Sequence, residues 1–98
     1  MGPTTTHEHL LIDFTCMFTP PVEASEKHYA YQPVSKQNLG KVRYDPFSNY
    51  DNLLLSNEDG AISEMVHYKK AGGGTVIEAT TIGIGRDPNG LARIARAT

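Results

Sequence analysis

The chain has 98 residues, enough for one domain at most. Its formal net charge is −2 and its longest basic run is Lys69–Lys70, which argues against nucleic acid and anionic membrane surfaces as partners. No stretch approaches the ~18 apolar residues of a membrane helix and no signal peptide opens the chain. The single Cys16 forms no internal disulfide, which fits a reducing compartment, so we expect a cytoplasmic protein.

The first predicted element is a strand over residues 4–12, which carries the sequence H-E-H. Side chains alternate between the faces of a strand, so His7 and His9 share one face and can reach one cation. Imidazole suits zinc. A pair of histidines in a polar turn is the alternative, but the short apolar run and the flanking threonines favour a strand. The helical zincin motif is excluded, because its second histidine would stand at Leu11.

A long irregular segment follows over residues 14–55. Connections of this length are uncommon in a compact domain and are usually functional or disordered. Seven aromatic residues argue against disorder, because their apolar area must be covered. They are Phe14, Phe18, Tyr29, Tyr31, Tyr44, Phe47 and Tyr50. A short helix is predicted around residues 35–40.

The remaining pattern predicts a helix over residues 57–71, with Ser56 as its N-cap and Asp59 completing a near capping box. A strand over residues 75–82 and a final helix from Gly90 follow. Strands separated by helices imply parallel pairing, so the second strand should lie parallel and adjacent to the first.

Two parallel strands make an incomplete sheet, because parallel sheets need cover on both faces. The last predicted helix is barely two turns long and lacks a C-cap glycine. The sequence is therefore expected to be a truncated piece of a longer domain.

Two stretches resemble the phosphotriesterase family of the amidohydrolase superfamily: GPTTTHEHL at residues 2–10 and GGGTVIEATTIGIGRDPNGLARIARAT at residues 72–98. The segment QNLGKVRYDPFSNYDNLLL, residues 37–55, resembles its animal phosphotriesterase-related branch. The resemblance spans nearly the whole chain. It implies an α/β fold: the N-terminal portion of a (β/α)8 TIM barrel, with two βα units and a long insertion after the first strand. Residues 1–98 would then be a partial metal-dependent hydrolase barrel domain, truncated at its C-terminus.

The resemblance also implies roles for individual residues. His7 and His9 match the first-strand ligands of the more buried of two divalent ions, which are expected to be zinc. Ile84 matches a position that lines the substrate pocket. Arg86 and Asp87 belong to a G-R-D turn, where structural support is expected more than chemistry.

Some positions depart from the family or carry no expected role. Glu78 is not expected to bind metal, since the bridging acidic ligand of the family comes from a later strand. Thr5 stands where the family usually has an apolar residue. The further ligands, a bridging lysine or glutamate, two histidines and a late aspartate, are missing from the sequence.

The implied activity is hydrolysis of an ester, lactone, phosphotriester or N-acyl amide by water that a divalent metal activates. The implied partner is a small-molecule substrate, and homodimer formation by the full-length protein stays open. The 98-residue chain itself is expected to lack turnover, as an inactive truncated fragment or an interaction piece. A different alternative is a nucleotide-binding βα unit. GIGRDPNG departs from its motif, because Gly90 comes two residues late and Pro88 interrupts the loop.

The segment over residues 14–55 follows the first strand, so in a barrel it leaves from the face where the chemistry occurs. We expect it to form a lid or pocket wall in the full-length protein, with some of Phe18, Tyr29, Tyr31 and Tyr44 near the substrate. In a chain of 98 residues the same segment is expected to be loose. The alternative is that its aromatic residues pack on the outer helices of the barrel.

Overall fold

The computed structural model describes residues 2–98, which form a mixed α/β structure. Its strands are β1 (Thr4–Glu8), β2 (Ile12–Asp13), β3 (Leu54–Leu55) and β4 (Thr75–Glu78). Its α-helices are α1 (Leu39–Tyr44), α2 (Glu58–Lys70) and α3 (Pro88–Ala97). Short 3-10 helices cover Thr15–Met17, Ala24–Glu26, Tyr29–Tyr31, Pro46–Ser48, Asp51–Leu53 and Ile82–Ile84. The described residues divide into two compact units, 2–12 with 56–98, and 13–55.

In the first unit, β1 and β4 pair in parallel, which confirms the predicted pairing. Thr5 pairs with Val76 and Glu8 with Glu78, so β1 places one more residue between these two pairs than β4 does. Such an irregularity locally bends the strand and re-aims its side chains. It lies just where β1 carries His7.

Both strands end earlier than predicted, at Glu8 and Glu78 instead of residues 12 and 82. The reason lies in side chains that take over the backbone groups beyond them. The Glu78 carboxylate accepts from the Leu10 and Thr80 backbone N–H groups, at 3.3 and 2.6 Å. The Thr80 hydroxyl donates to Leu11 O at 3.2 Å. Because these backbone groups already have side-chain hydrogen-bond partners, they do not need a neighbouring strand, and the strand pairing ends here.

The core of this unit lies where β1 ends and the two longer helices meet. Its buried residues are Leu11, Ala61 and Ile94, with Leu10, Ile62, Met65 and Leu91 packed against them. Burying a side chain such as Ile94 contributes about 1.5–3 kcal/mol. This core fixes the chain immediately after His9, and so anchors that end of β1.

Helix α2 begins one residue later than the capping box predicted. Asn57, not Ser56, is the N-cap, and its side-chain oxygen accepts from the Gly60 N–H at 3.1 Å. Asparagine caps helices as well as serine does. Glu58 and Asp59 stand in the first turn, where negative charge favours the helix dipole.

Helix α3 begins two residues before the predicted Gly90. Asp87 is its N-cap and accepts from the Gly90 N–H at 2.9 Å, while Pro88 stands in the first turn. Proline suits that position, since its missing N–H would have no helical partner there. The predicted structural role of Asp87 in the G-R-D turn is therefore confirmed.

Backbone hydrogen bonds between residues far apart in the sequence hold the second unit together. Phe14 N–H donates to Leu53 O at 2.7 Å, and Tyr50 N–H donates to Ala30 O at 2.7 Å. Asn49 is fully buried and donates to the carbonyl oxygens of Tyr29 and Gln32. The buried apolar residues of this unit are Tyr29, Ala30, Val42 and Leu53.

The expectation that residues 14–55 are loose in this chain is therefore wrong. The segment has its own buried residues and hydrogen bonds, and its aromatic rings supply part of the apolar area. The short helix predicted around residues 35–40 lies later, as α1 at Leu39–Tyr44. No helix within residues 2–98 is long and apolar enough to cross a membrane.

Candidate metal centre

His7 and His9 lie at and just beyond the end of β1, and their rings meet edge to face. The ring centroids are 5.1 Å apart and the planes cross at 74°. Both side chains therefore lie on the same side of the chain, as the alternation of a strand predicted. His7 is exposed and His9 is partly buried. Two imidazoles this close can approach a common cation.

His9 has a specific partner on the neighbouring chain segment. Its Nδ1 lies 2.8 Å from the hydroxyl oxygen of Thr80, which is buried beyond the end of β4. The Thr80 hydroxyl in turn donates to Leu11 O at 3.2 Å. A carbonyl oxygen and an ionised carboxylate can only accept, so Leu11 O and the Glu78 carboxylate both compete with His9 Nδ1 for the single hydroxyl hydrogen. When that hydrogen goes to either oxygen, His9 Nδ1–H donates to Thr80.

The opposite tautomer would leave a buried carbonyl without its partner. If the Thr80 hydroxyl donated to His9 Nδ1, it could no longer donate to Leu11 O. Leu11 is 5% exposed, and a buried acceptor that loses its partner costs about 1–3 kcal/mol. That difference favours the Nδ1–H tautomer of His9, in which Nε2 keeps its lone pair. A lone pair on one imidazole nitrogen is what a metal ligand requires.

Glu78 serves the backbone around this site. Burial acts to raise the pKa of Glu78, but hydrogen bonds from the Thr80 side chain and from backbone N–H groups outweigh it and lower the pKa. The ionised carboxylate accepts from the N–H of Leu10, which follows His9 in the sequence, and from the N–H of Thr80, the hydrogen-bond partner of His9. That Glu78 is not a metal ligand stays a prediction.

The donor set fits one half of a divalent metal site. Imidazole nitrogens suit zinc and related ions. Within residues 2–98, neither the His7 ring nitrogens nor Nε2 of His9 makes a hydrogen bond, so these nitrogens are accessible to a metal. No group of three or more histidine, cysteine, aspartate or glutamate side chains that could hold a metal is found among the described residues.

Ile84 lies in the 3-10 helix Ile82–Ile84 and is half-buried. Its N–H donates to Thr81 O at 3.1 Å, and Gly85 follows in the left-handed region at φ 81°. Its expected role in lining a substrate pocket stays a prediction. Among residues 2–98, no hydrogen bond or ring contact joins Ile84 to His7 or His9.

Thr80 was not among the candidate residues that the sequence patterns predicted. The signal that could have found it is a hydroxyl residue two positions after the end of a strand parallel to the H-E-H strand. At that place a side chain can reach across to a histidine of the neighbouring strand. The predicted parallel pairing contained this information, but the register did not follow from the sequence.

Comparison with known proteins relates the whole chain to one family. The family model "PTE: Phosphotriesterase family" matches residues 1–98. An N-acetyltaurine hydrolase from Salmo salar is 42% identical over 98% of this chain and 28% of its own length. One from Xenopus tropicalis is 43% identical over 100% of this chain, and one from Homo sapiens is 38% identical over the same share.

A solved structure resembles the chain equally well. It is a resiniferatoxin-binding protein from Rhodobacter sphaeroides, with a TM-score of 0.94 and 40% sequence identity. The match covers 99% of this chain and 27% of that one. The chain thus spans 28% of the length of the curated relatives it matches.

Proposed function

Because the chain belongs to the phosphotriesterase family, we propose that a protein of its relatives' length that carries this sequence is a metal-dependent hydrolase. His7 and His9 would bind one divalent ion, zinc by the preference of imidazole, in a centre of two ions. The observation that carries the proposal is the edge-to-face pair of imidazoles, with ring centroids 5.1 Å apart, in which Thr80 contacts Nδ1 of His9 and Nε2 has no hydrogen bond among the described residues.

The proposal includes a fold for the longer protein. The parallel pair of β1 and β4, with α2 between them in sequence and α3 after them, would be the first two βα units of a (β/α)8 barrel. Residues 1–98 would be part of that domain, and residues 13–55 would be an insertion after its first strand. The match to 27% of a solved relative at a TM-score of 0.94 supports this proposal.

An N-acyl amide is the substrate class that the relatives favour, since several are named N-acetyltaurine hydrolase. Hydrolysis adds water across the amide bond. The water oxygen joins the acyl carbon, the C–N bond breaks, and the amine leaves with a proton. N-acetyltaurine would yield acetate and taurine. Esters, lactones and phosphotriesters are the other substrates to be compared.

When bound, the divalent ions would activate the attacking water and polarise the acyl carbonyl. The residues of this chain would hold and orient that centre. His7 and His9 would supply nitrogen ligands from a strand end that the core at Leu11 anchors. Ile84 would line the pocket for the acyl or amine group of the substrate.

The nucleotide-binding alternative is disfavoured by the start of α3. A phosphate binds at a helix N-terminus through free backbone N–H groups. Here the Asp87 carboxylate accepts from the Gly90 N–H at 2.9 Å, and its negative charge would repel a phosphate. Failure to bind a nucleotide resin is the expected outcome.

The test uses the full-length protein, loaded with zinc and assayed against N-acetyltaurine, a lactone and a phosphotriester. We expect turnover of the amide, and its loss in His7→Ala and His9→Ala together with lost zinc. His67→Ala is the matched control, since His67 is an exposed histidine of α2. The 98-residue chain assayed in parallel should give no turnover. Full activity in both histidine variants would refute the proposal.

A further inference from the structure

We propose that Thr80 is a positioning residue, which fixes the tautomer and the orientation of His9 so that Nε2 faces the metal. The inference rests on the proposed function in one respect, namely that His9 binds a metal. The contact itself, Nδ1 to Oγ1 at 2.8 Å, exists without any ion.

The surroundings of Thr80 restrict the hydrogen bonds that its hydroxyl can make. Its side chain is 6% exposed, so water cannot readily replace its partners. Its hydroxyl donates to Leu11 O at 3.2 Å and lies 2.8 Å from His9 Nδ1, and the Nδ1–H tautomer of His9 is the one that satisfies both contacts. Neither partner can be exchanged without leaving a polar atom unpaired. We therefore infer that the hydroxyl accepts a hydrogen bond from His9 and does not donate one to it.

Thr80 is itself held in place by Glu78. The Glu78 carboxylate accepts from the Thr80 N–H at 2.6 Å and from the Leu10 N–H at 3.3 Å. One side chain thus fixes the backbone of Thr80 and the backbone next to His9. This links the two chain segments that carry the acceptor and the ligand, and it limits how far they can separate.

The two histidines differ in this respect. His9 has a buried acceptor that selects one tautomer, whereas His7 is exposed and makes no such hydrogen bond among the described residues. A ligand whose second nitrogen is already hydrogen-bonded loses less freedom on binding a metal. We therefore infer that His9 is the ordered ligand of the pair and that His7 orders when metal binds.

The first measurement is histidine-selective nitrogen NMR on the metal-free full-length protein, at alkaline pH where imidazole is neutral. His9 should be the Nδ1–H tautomer in the wild type, and His7 should show a mixture. In Thr80→Val, which keeps the shape but removes the hydroxyl, His9 should become a mixture as well. Thr80→Ser should restore the wild-type tautomer.

The second measurement is zinc affinity by competition with a chelator. Thr80→Val should weaken zinc binding about 10- to 100-fold, the usual effect of losing a hydrogen bond behind a metal ligand. Thr80→Ser should recover most of the affinity. Thr81→Val is the matched control, because Thr81 is exposed and its backbone carbonyl accepts from Ile84 and Arg86 in both forms. It should bind zinc as the wild type does.

The outcomes separate this inference from the proposed function. If the wild type binds no zinc but His9 loses its tautomer in Thr80→Val, the metal assignment fails and the positioning by Thr80 stands. If zinc binds with unchanged affinity in Thr80→Val, Thr80 does not position the ligand. An Nε2–H tautomer of His9 in the metal-free wild type refutes the inference even if every variant fails to fold.

Discussion

At the scale of single residues, Thr5 is a polar group in an apolar place. Its hydroxyl oxygen is buried and makes no hydrogen bond with the described residues, and the resemblance already placed an apolar residue there. A buried hydroxyl without a partner costs free energy, whereas a methyl group of the same shape does not. We expect Thr5→Val to raise the free energy of unfolding by about 1 kcal/mol. Urea unfolding of the two proteins measures the difference.

The matched control is Thr6→Val, one residue further along β1. Thr6 is exposed, and valine and threonine are both β-branched, so the strand preference is the same. Its effect should stay within about 0.5 kcal/mol. Equal effects at the two positions would show that the gain comes from strand propensity and not from the unpaired hydroxyl.

Glu78 makes stability depend on pH. Its pKa in the folded protein lies below its ordinary value of 4.5, so the ionised form stabilises the fold above that value. This contribution is lost as the pH falls through the folded pKa. Glu78→Gln removes it, and should lower the free energy of unfolding by about 1–3 kcal/mol at neutral pH. Chemical unfolding at a series of pH values measures the loss.

The difference between wild type and Glu78→Gln should shrink as the pH falls below about 4.5, because the wild-type carboxylate is then protonated too. Comparing the two proteins at each pH cancels the other carboxylates whose pKa is lowered, Asp13 and Glu58. Glu64→Gln, an exposed position on α2, is the control. A difference that stays constant between pH 7 and pH 3 would contradict the role of Glu78.

At the scale of elements, α3 packs so closely that its first turn has no room for a side chain. A Cβ at Gly90 would lie 2.8 Å from the Leu11 Cδ1 and 2.5 Å from the Asp87 Oδ2. Both atoms belong to groups that hold the helix, one in the core and one as its cap. We expect Gly90→Ala to lower the free energy of unfolding by about 1–3 kcal/mol, which thermal melting measures.

Gly40 in α1 is the matched control, since a Cβ there meets nothing within 4 Å. Alanine is a better helix former than glycine, so Gly40→Ala should stabilise the protein by about 0.5–1 kcal/mol. The two substitutions are chemically identical and should have opposite signs. A stabilised Gly90→Ala would show that α3 does not lie against Leu11 as described.

The elements were largely predictable, but their ends were not. The spacing of apolar residues predicted α2, and the separation of the two strands by a helix predicted the parallel pairing of β1 and β4. The ends depend on side chains that compete for backbone groups. Glu78 stops both strands by accepting N–H groups that a longer ladder would have used. Asn57 and Asp87 are the N-caps of α2 and α3, whereas the sequence patterns predicted Ser56 as the first N-cap and Gly90 as the start of the second helix.

At the scale of the whole molecule, only those residues of the candidate site that are close in sequence could be predicted to lie together. His7 and His9 stand two residues apart, so a strand period is enough to place them together. Thr80 is separated from His9 by 71 positions, and its contact depends on the register of β1 against β4. The compactness of residues 13–55 also depends on distant contacts, such as Asn49 with Tyr29. The number of aromatic residues predicted that their apolar surface would be covered, but it did not predict which rings become buried.

The tyrosines of residues 13–55 test whether this unit serves the chemistry or only the fold. Tyr29 is 3% exposed, with the Lys41 ammonium 4.3 Å from its ring centre, whereas Tyr44 is 92% and Tyr31 is 68% exposed. Truncating a buried aromatic leaves a cavity and costs about 3–5 kcal/mol. Tyr29→Ala in the full-length protein should therefore lower the melting temperature, by about 4–7 °C. Its KM, measured at a temperature where it is folded, should hardly change.

Tyr31→Ala and Tyr44→Ala should behave in the opposite way if these rings form a pocket wall. Exposed rings contribute little to stability, so the melting temperature should change by about 1 °C or less. A ring that contacts substrate or excludes water should instead alter KM or the preference between an N-acyl amide and a lactone. Phenylalanine at either position keeps the ring, and should keep the preference. If neither alanine variant changes the kinetics, residues 13–55 do not line the site with these two rings, and their exposure has another cause.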